Sequence, residues 1–326
     1  MKLHQRREFS AAQFLKLRDK LERASELIAG TACVYATGSY GRMEAGPDSD
    51  LDLFILSHGN SAEEPRLSRL DETLVKANLI EATRALGIPD FDGDGRYLVG
   101  HTVHGLVESL GKPEDDADNT LTARLLLVLE GKPLLGEESY DAAMRGVLAA
   151  YWRDFEDHAD QFEPAFFVND VLRLWRTFCV NFEARTRDYS GPKRAKRRVK
   201  NFKLKHSRML TCYSTLLCLL TEFRERGTVT LDIAVDITRT SPTERLERLQ
   251  ARPAAKVAEH ELQTLVAIYD EFLQISAGSE ADVAARFEDK EEAVRLMADA
   301  ERFGDQIAAA LRKIGDGTRL HRIMTV

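Results

Sequence analysis

Two carboxylates and a glycine-serine turn carry the most legible chemistry of this 326-residue chain. Asp50 and Asp52 stand two apart in Ser-Asp-Leu-Asp-Leu-Phe-Ile-Leu, and Gly38-Ser39 precedes them by ten residues within Thr-Gly-Ser-Tyr-Gly-Arg. Residues two apart on a strand share a face. The spacing therefore predicts that Asp50 and Asp52 project together, with Leu51, Leu53 and Ile55 turned to the other side. Paired carboxylates repel each other and gain nothing from packing. A divalent cation between them reverses that balance, and Mg²⁺ takes hard oxygen ligands that it commonly shares with phosphates. Gly38, Gly41 and Gly46 let the backbone approach an anion closely, and N–H groups at a turn attract negative charge. Turn and carboxylates together describe a metal-and-phosphate site.

The elements that must position these residues are readable around them. Residues 10–28 carry Phe14, Leu17, Leu21, Ala24 and Leu27 at helical spacing, with Ser10 and Gln13 as a capping pair and Gly30 as the stop. Residues 32–37 read as a short apolar strand leading into the turn, and residues 50–56 as the carboxylate strand. A helical pattern then runs to Gly87. Asp92-Gly93-Asp94-Gly95 forms a turn ahead of a strand at 96–103. Asp115, Asp116, Asp118 and Asn119 crowd the start of the next helix, where negative side chains suit the helix dipole. From Gly136 the pattern is almost wholly helical. Residues 228–237 alternate partly like a strand or connect two helices, and residues 318–326 read as a loose tail. The expected fold is α/β (α+β): a small mixed-sheet core over residues 1–135 and an all-helical domain over 136–326, with the site in the cleft between them.

Gly38-Ser39, ten residues, then Asp50-Leu51-Asp52 resembles the signature of the polymerase-β-type nucleotidyltransferase superfamily. The fuller string Gly-Ser-Tyr-Gly-Arg followed by Ser49-Asp50-Leu51-Asp52-Leu53 is similar to the catalytic domain of bacterial protein uridylyltransferases and their shorter relatives. The close likeness covers roughly residues 30–57. It implies transfer of a nucleotidyl group from a nucleoside triphosphate to a hydroxyl, with release of pyrophosphate. Two Mg²⁺ or Mn²⁺ ions would be held by Asp50 and Asp52, and phosphates by Gly38 and Ser39, with Arg42 as a further phosphate contact. A third acidic residue usually completes such a site; Asp94 is the candidate, with Asp92 and Asp118 as rivals. Related enzymes often close the nucleotide site with cations from an adjoining helical domain, a role open to Lys200, Lys203 and Lys205. A bound protein, a nucleotide or a nucleic acid could each be the acceptor. Antiviral template-independent synthesis of oligonucleotides or signal nucleotides is one form of that chemistry. The non-catalytic alternative is an antitoxin-like subunit that binds nucleotide without turning it over.

The stretch Lys193–Lys200, continuing to Lys203, Lys205 and Arg208, holds no acid. Such a concentration points to a polyanion, either a triphosphate or a nucleic-acid strand, against the plainer reading of a solvated helix face. Few aromatic residues interleave with it, which argues against a base-stacking platform in this stretch. Arg153 and His158 match the short Arg-polar-His pattern of helical ribonuclease domains. An exposed helix of mixed charge explains them as well, and ribonuclease action is the second enzymatic alternative. There is no His-Asp dipeptide, so the resemblance does not extend to a phosphohydrolase domain.

With 44% hydrophobic and 30% charged residues, and no apolar run near the roughly 18–20 residues that cross a bilayer, a soluble cytoplasmic protein without membrane contact is expected. The N-terminal residues lack the apolar core of a secretory signal. Cys33, Cys179, Cys212 and Cys218 are scattered without metal-ligand spacing, which favours reduced thiols. The net charge of −7 argues against overall polyanion binding. Self-association is left open.

Overall fold

The computed structural model describes residues 1–58, 67–91, 98–191 and 193–325. It divides into two compact units, Leu3–Arg153 and Asp154–Val326, the latter grouped with Met1–Lys2.

The first unit is built on a mixed four-stranded sheet. Its strands are β1 (Ala32–Thr37), β2 (Asp52–Ser57), β3 (Gly100–Thr102) and β4 (Lys132–Leu135), in the order β3-β2-β1-β4. β1 runs antiparallel to both β2 and β4, whereas β3 lies parallel to β2. Every residue of β1 is buried, because helices cover both faces of the sheet. On one face Ala32, Val34, Ala36, Leu53 and Ile55 join Phe14 and Leu17 of α1 (Leu3–Asp19), Leu21 at the break after it and Ala24 of α2 (Glu22–Ile28) in a single core, together with Val75 and Leu79 of α4 (Arg69–Ala85). α3 (Gly38–Gly41) follows β1 directly. On the other face Tyr35 stacks on Phe54, its cross-strand partner, with ring centroids 5.4 Å apart, and meets Tyr140 at 5.7 Å. Such cross-strand aromatic pairs fix register as well as adding stability. The helices that meet the strands here are α5 (Val103–Glu108), α7 (Thr120–Glu130) and α8 (Glu137–Ala149), with the short α6 (Glu114–Ala117) packed on α7.

Several expectations shift. The helix expected over 10–28 is two helices that break at Lys20–Leu21, and the first begins at Leu3. Ser10 therefore lies inside α1 rather than capping it. The carboxylate strand starts at Asp52, because a turn at Gly46–Ser49 occupies the residues before it. α8 packs against β1, so the first unit runs on to Arg153, past the expected division after residue 135.

The second unit is helical. After a 3₁₀ segment (Glu156–Gln161) come α9 (Ala165–Thr186) and α10 (Lys193–Lys203), then a π-helical turn (Leu204–Arg208) that continues into α11 (Met209–Arg226). α12 (Leu231–Thr238), α13 (Pro242–Leu249), α14 (Glu259–Ile275), α15 (Glu280–Glu288), α16 (Lys290–Gly315) and α17 (Arg319–Thr325) complete it. Thr230 accepts a hydrogen bond from the Ile233 N–H, so local capping turns the partly alternating 228–237 stretch into a helix. The expected loose tail is α17, anchored by fully buried Leu320. No helix among the described residues is long and apolar enough to cross a membrane.

Candidate functional site

The site grows out of the end of the β1–β2 pair. Thr37 and Asp52 form the last rung of that ladder, so the chain leaves β1 and enters the turn beside the Asp52 carboxylate. Gly38 has a φ of +65°, and a Cβ built on it would come within 2.7 Å of Asp52 Oδ2. A side chain there would be strained by the backbone and would displace the carboxylate. Gly41 is held by space instead: its Cβ would approach the Glu130 and Ala36 carbonyl oxygens to 2.3 and 2.6 Å. Asp50 is exposed and precedes the strand, while Asp52 is half-buried. The Tyr40 hydroxyl, pushed up to about 12 by burial and then by the nearby Asp50 charge, stays protonated at neutral pH.

A buried ionic layer fixes the turn from below. The Gly38 N–H donates to Glu130 Oε1 at 2.9 Å, and Arg42 Nη1 donates to Glu130 Oε2 at 2.9 Å. Arg42 Nε donates to Glu44 Oε2, also at 2.9 Å. Arg42 is only 6% exposed and its guanidinium is engaged by two carboxylates, an arrangement that braces the turn. From α1, buried Arg6 donates to the Glu44 carbonyl at 2.7 Å, and the Ser10 hydroxyl accepts from the Ala45 N–H at 3.0 Å. Sequence reasoning missed Glu130, Arg6 and Ser10 in these roles. The available signal for Glu130 was a lone acid closing the apolar run Leu125–Leu129 of α7.

The remaining expected residues fall elsewhere. Asp92 and Asp94 lie outside the described residues. Asp118 is exposed at the end of α6, and neighbouring Asp115 is buried in a bidentate pair with Arg124. Lys200, Lys203 and Lys205 belong to the helical unit. Lys200 Nζ donates to the Tyr189 hydroxyl at 3.2 Å, Lys205 lies 3.7 Å from Glu301, and Lys203 is exposed. Arg153 sits in a turn and His158 in the 3₁₀ segment, at a non-helical φ of −138°, so no single helix presents them. A cavity of about 570 Å³ in the helical unit is lined by Asp154, Glu156, Asp157, Asp160 and Glu163, with His158 and with Arg319 paired to Glu163, a mainly acidic lining that disfavours a triphosphate.

The donor set fits a divalent cation. Asp50 and Asp52 offer hard oxygens, Gly38 leaves Asp52 Oδ2 the space a Cβ would take, and the Ser39 hydroxyl is buried without a hydrogen-bond partner. Among the described residues no cluster of three or more acidic, His or Cys side chains could hold a metal. Two carboxylates are sufficient for Mg²⁺, which keeps waters and takes its other ligands from substrate phosphates. Residues 16–97 match the family model of the nucleotidyltransferase domain. This match spans the turn and both carboxylates and supports the polymerase-β-type assignment of the segment. No curated protein matches the chain.

Proposed function

We propose that the protein transfers a nucleotidyl group from a nucleoside triphosphate to an acceptor hydroxyl, releasing pyrophosphate, in a reaction that depends on Mg²⁺ or Mn²⁺. The observation that carries this reading is the position of Gly38 against Asp52, where a Cβ would meet the carboxylate, within a segment that matches the nucleotidyltransferase domain. Asp50 and Asp52 would hold the metal. When bound, that metal would polarise phosphoryl oxygens and offset the charge that develops on the leaving pyrophosphate. The Ser39 hydroxyl has its hydrogen-bonding capacity unspent and would donate to a phosphate oxygen. Because Glu130 already engages the Gly38 N–H, Gly38 contributes shape here: it keeps Asp52 in place and the turn close to the anion. Asp94 is proposed as the third acid on its place in the sequence, just ahead of β3.

Incubation with each α-³²P-labelled ribo- and deoxynucleoside triphosphate plus Mg²⁺ or Mn²⁺ tests the reading. Label should pass into a slower species with the wild type and not with Asp50→Asn/Asp52→Asn. Protease or nuclease sensitivity of that species names the acceptor class. Transfer that survives in the folded double variant sinks the proposal.

A further inference from the structure

Residues 173–208 contain thirteen Lys and Arg and two acids, a local charge of +11 in a chain of −7. Within Lys193–Arg208 itself the sequence interleaves few aromatic residues, but the fold supplies them from the preceding helix. α10 buries Ala195, Val199 and Phe202 on one side. Its opposite stripe, Lys193, Arg197 and Lys200, faces rings of α9 and the turn after it. Lys193 and Lys200 lie over Tyr189 at 5.9 and 5.3 Å from the ring centroid, and Arg197 over Phe182 at 5.6 Å. Beyond the π-helical turn, Arg208 lies over Phe178 at 5.2 Å. All three rings are half-buried, and Val180 beside them is 66% exposed. The result is a seam of alternating rings and cations between two helices.

Some of these cations are tied within the unit: Lys196 to Glu280, Arg197 to Glu183, and Arg198 to the Phe287 carbonyl. Lys193, Arg194, Lys200 and Lys203 have no carboxylate partner among the described residues. Holding four cations together without counter-charges is unfavourable unless an anion covers them. The rings narrow the choice of anion. Half-buried rings that carry Arg and Lys over their faces can exchange those cation–π contacts for stacked bases, which places the phosphates on the released cations alongside. A duplex keeps its bases paired and leaves such rings unused.

We propose that this seam binds single-stranded nucleic acid, with bases stacked on Phe182 and Tyr189 and phosphates held by Lys193, Arg194, Lys200 and Lys203. The surface stands on its own residues, whether or not the N-terminal unit turns over nucleotide. Fluorescence anisotropy with a labelled oligouridylate tests it across a salt series, alongside a duplex and vesicles containing phosphatidylserine. Four neutralised phosphates predict a slope of log K on log salt of about −3. Lys193→Gln/Arg194→Gln/Lys200→Gln/Lys203→Gln should bring that slope close to zero. Phe182→Leu/Tyr189→Leu keeps apolar packing, and should keep the slope while weakening binding by at least about tenfold. Circular dichroism checks that each variant is folded. Photocrosslinking of a 5-bromouridine strand to the unaltered chain should give adducts on Phe182 or Tyr189. Duplex or vesicles bound as tightly as the single strand, a slope that survives the charge variant, ring variants that bind like wild type, or adducts confined elsewhere each overturn the proposal.

Discussion

Replacing Gly38 with alanine separates the shape of the turn from the stability of the unit. At a φ of +65° an alanine pays the left-handed backbone cost of about 1–2 kcal/mol. For a unit near 150 residues, each kcal/mol lowers Tm by roughly 2–4 °C, so the fall should lie between roughly 2 and 8 °C. Against a usual stability of about 5–15 kcal/mol the variant stays folded. The new methyl group, however, would sit 2.7 Å from Asp52 Oδ2, closer than carbon and oxygen can approach, and the carboxylate must rotate away. Gly30 supplies the control. It has a φ of +68° with nothing within 4 Å of a built Cβ, so Gly30→Ala carries the same backbone cost and touches no functional group. Thermal unfolding and α-³²P transfer are measured on both variants, with Mn²⁺-dependent nucleotide binding by calorimetry as a readout that needs no acceptor. Comparable losses of Tm are expected. A misplaced group of this kind costs about 100-fold in rate, and only Gly38→Ala should show it. Gly38→Ala transferring and binding like wild type, or Gly30→Ala losing both in parallel, would refute the reasoning.

The buried brace is tested by Glu130→Ala, which strips a carboxylate from Arg42 and an acceptor from the Gly38 N–H. Breaking a buried pair costs about 3–5 kcal/mol, so Tm should drop well beyond the Gly38→Ala loss, while Glu130→Gln, which keeps an acceptor oxygen, should fall in between. An unchanged melting curve for Glu130→Ala would show that the ion pair is idle. His206 is expected to contribute to the acid sensitivity of the helical unit. Its ring stacks on Phe272 at 4.6 Å, and its Nε2 is buried without a hydrogen-bond partner. Burial lowers its pKa to about 4, below the ordinary 6.5. The unfolded chain therefore binds the proton first, and stability present above pH 6.5 is lost as pH falls toward 4, by roughly 3 kcal/mol in all. Urea titrations between pH 4 and 7 should show this loss in the wild type and a flatter profile in His206→Phe; equal slopes would exclude His206 as the source.

What was legible in the sequence is what is local. Strand 32–37, the turn and the two carboxylates lie within 21 residues, and their alternation and glycines follow rules of short range. The brace escaped because its contacts are long in sequence: Glu130 meets Gly38 across 92 positions, and Ser10 meets Ala45 across 35. Ser10 also misled through its type, since a serine three residues ahead of Gln13 satisfies a cap pattern that the tertiary contact overrides. The strand boundary moved for a similar reason. The Ser49 hydroxyl accepts from the Gly46 N–H at 2.9 Å and closes a turn, so Asp50 stands in the loop before the strand rather than within it. The basic stretch was visible, but its rings were not, because α9 and the turn after it bring them from up to fifteen positions upstream of Lys193.

The division of labour in the N-terminal unit follows from charge. The buried layer under the turn holds two guanidinium groups, Arg6 and Arg42, and two carboxylates, Glu44 and Glu130. These four carry no net charge, so the layer fixes geometry without setting the sign of the field above it. Asp50 and Asp52 lie nearer to solvent than any of the four, where the proposed metal would meet their charge. If Asp50 and Asp52 hold the proposed metal, the turn beside Asp52 is already fixed by a layer whose desolvation was met on folding, as in preorganised sites that avoid rearrangement at the moment of reaction. The corollary is directional. A change in the layer should lower stability and rate together, whereas Asp50→Asn/Asp52→Asn relieves carboxylate repulsion and should raise Tm slightly while abolishing transfer. Equal losses of Tm from both kinds of change would mean that Asp50 and Asp52 belong to the scaffold and not to the chemistry.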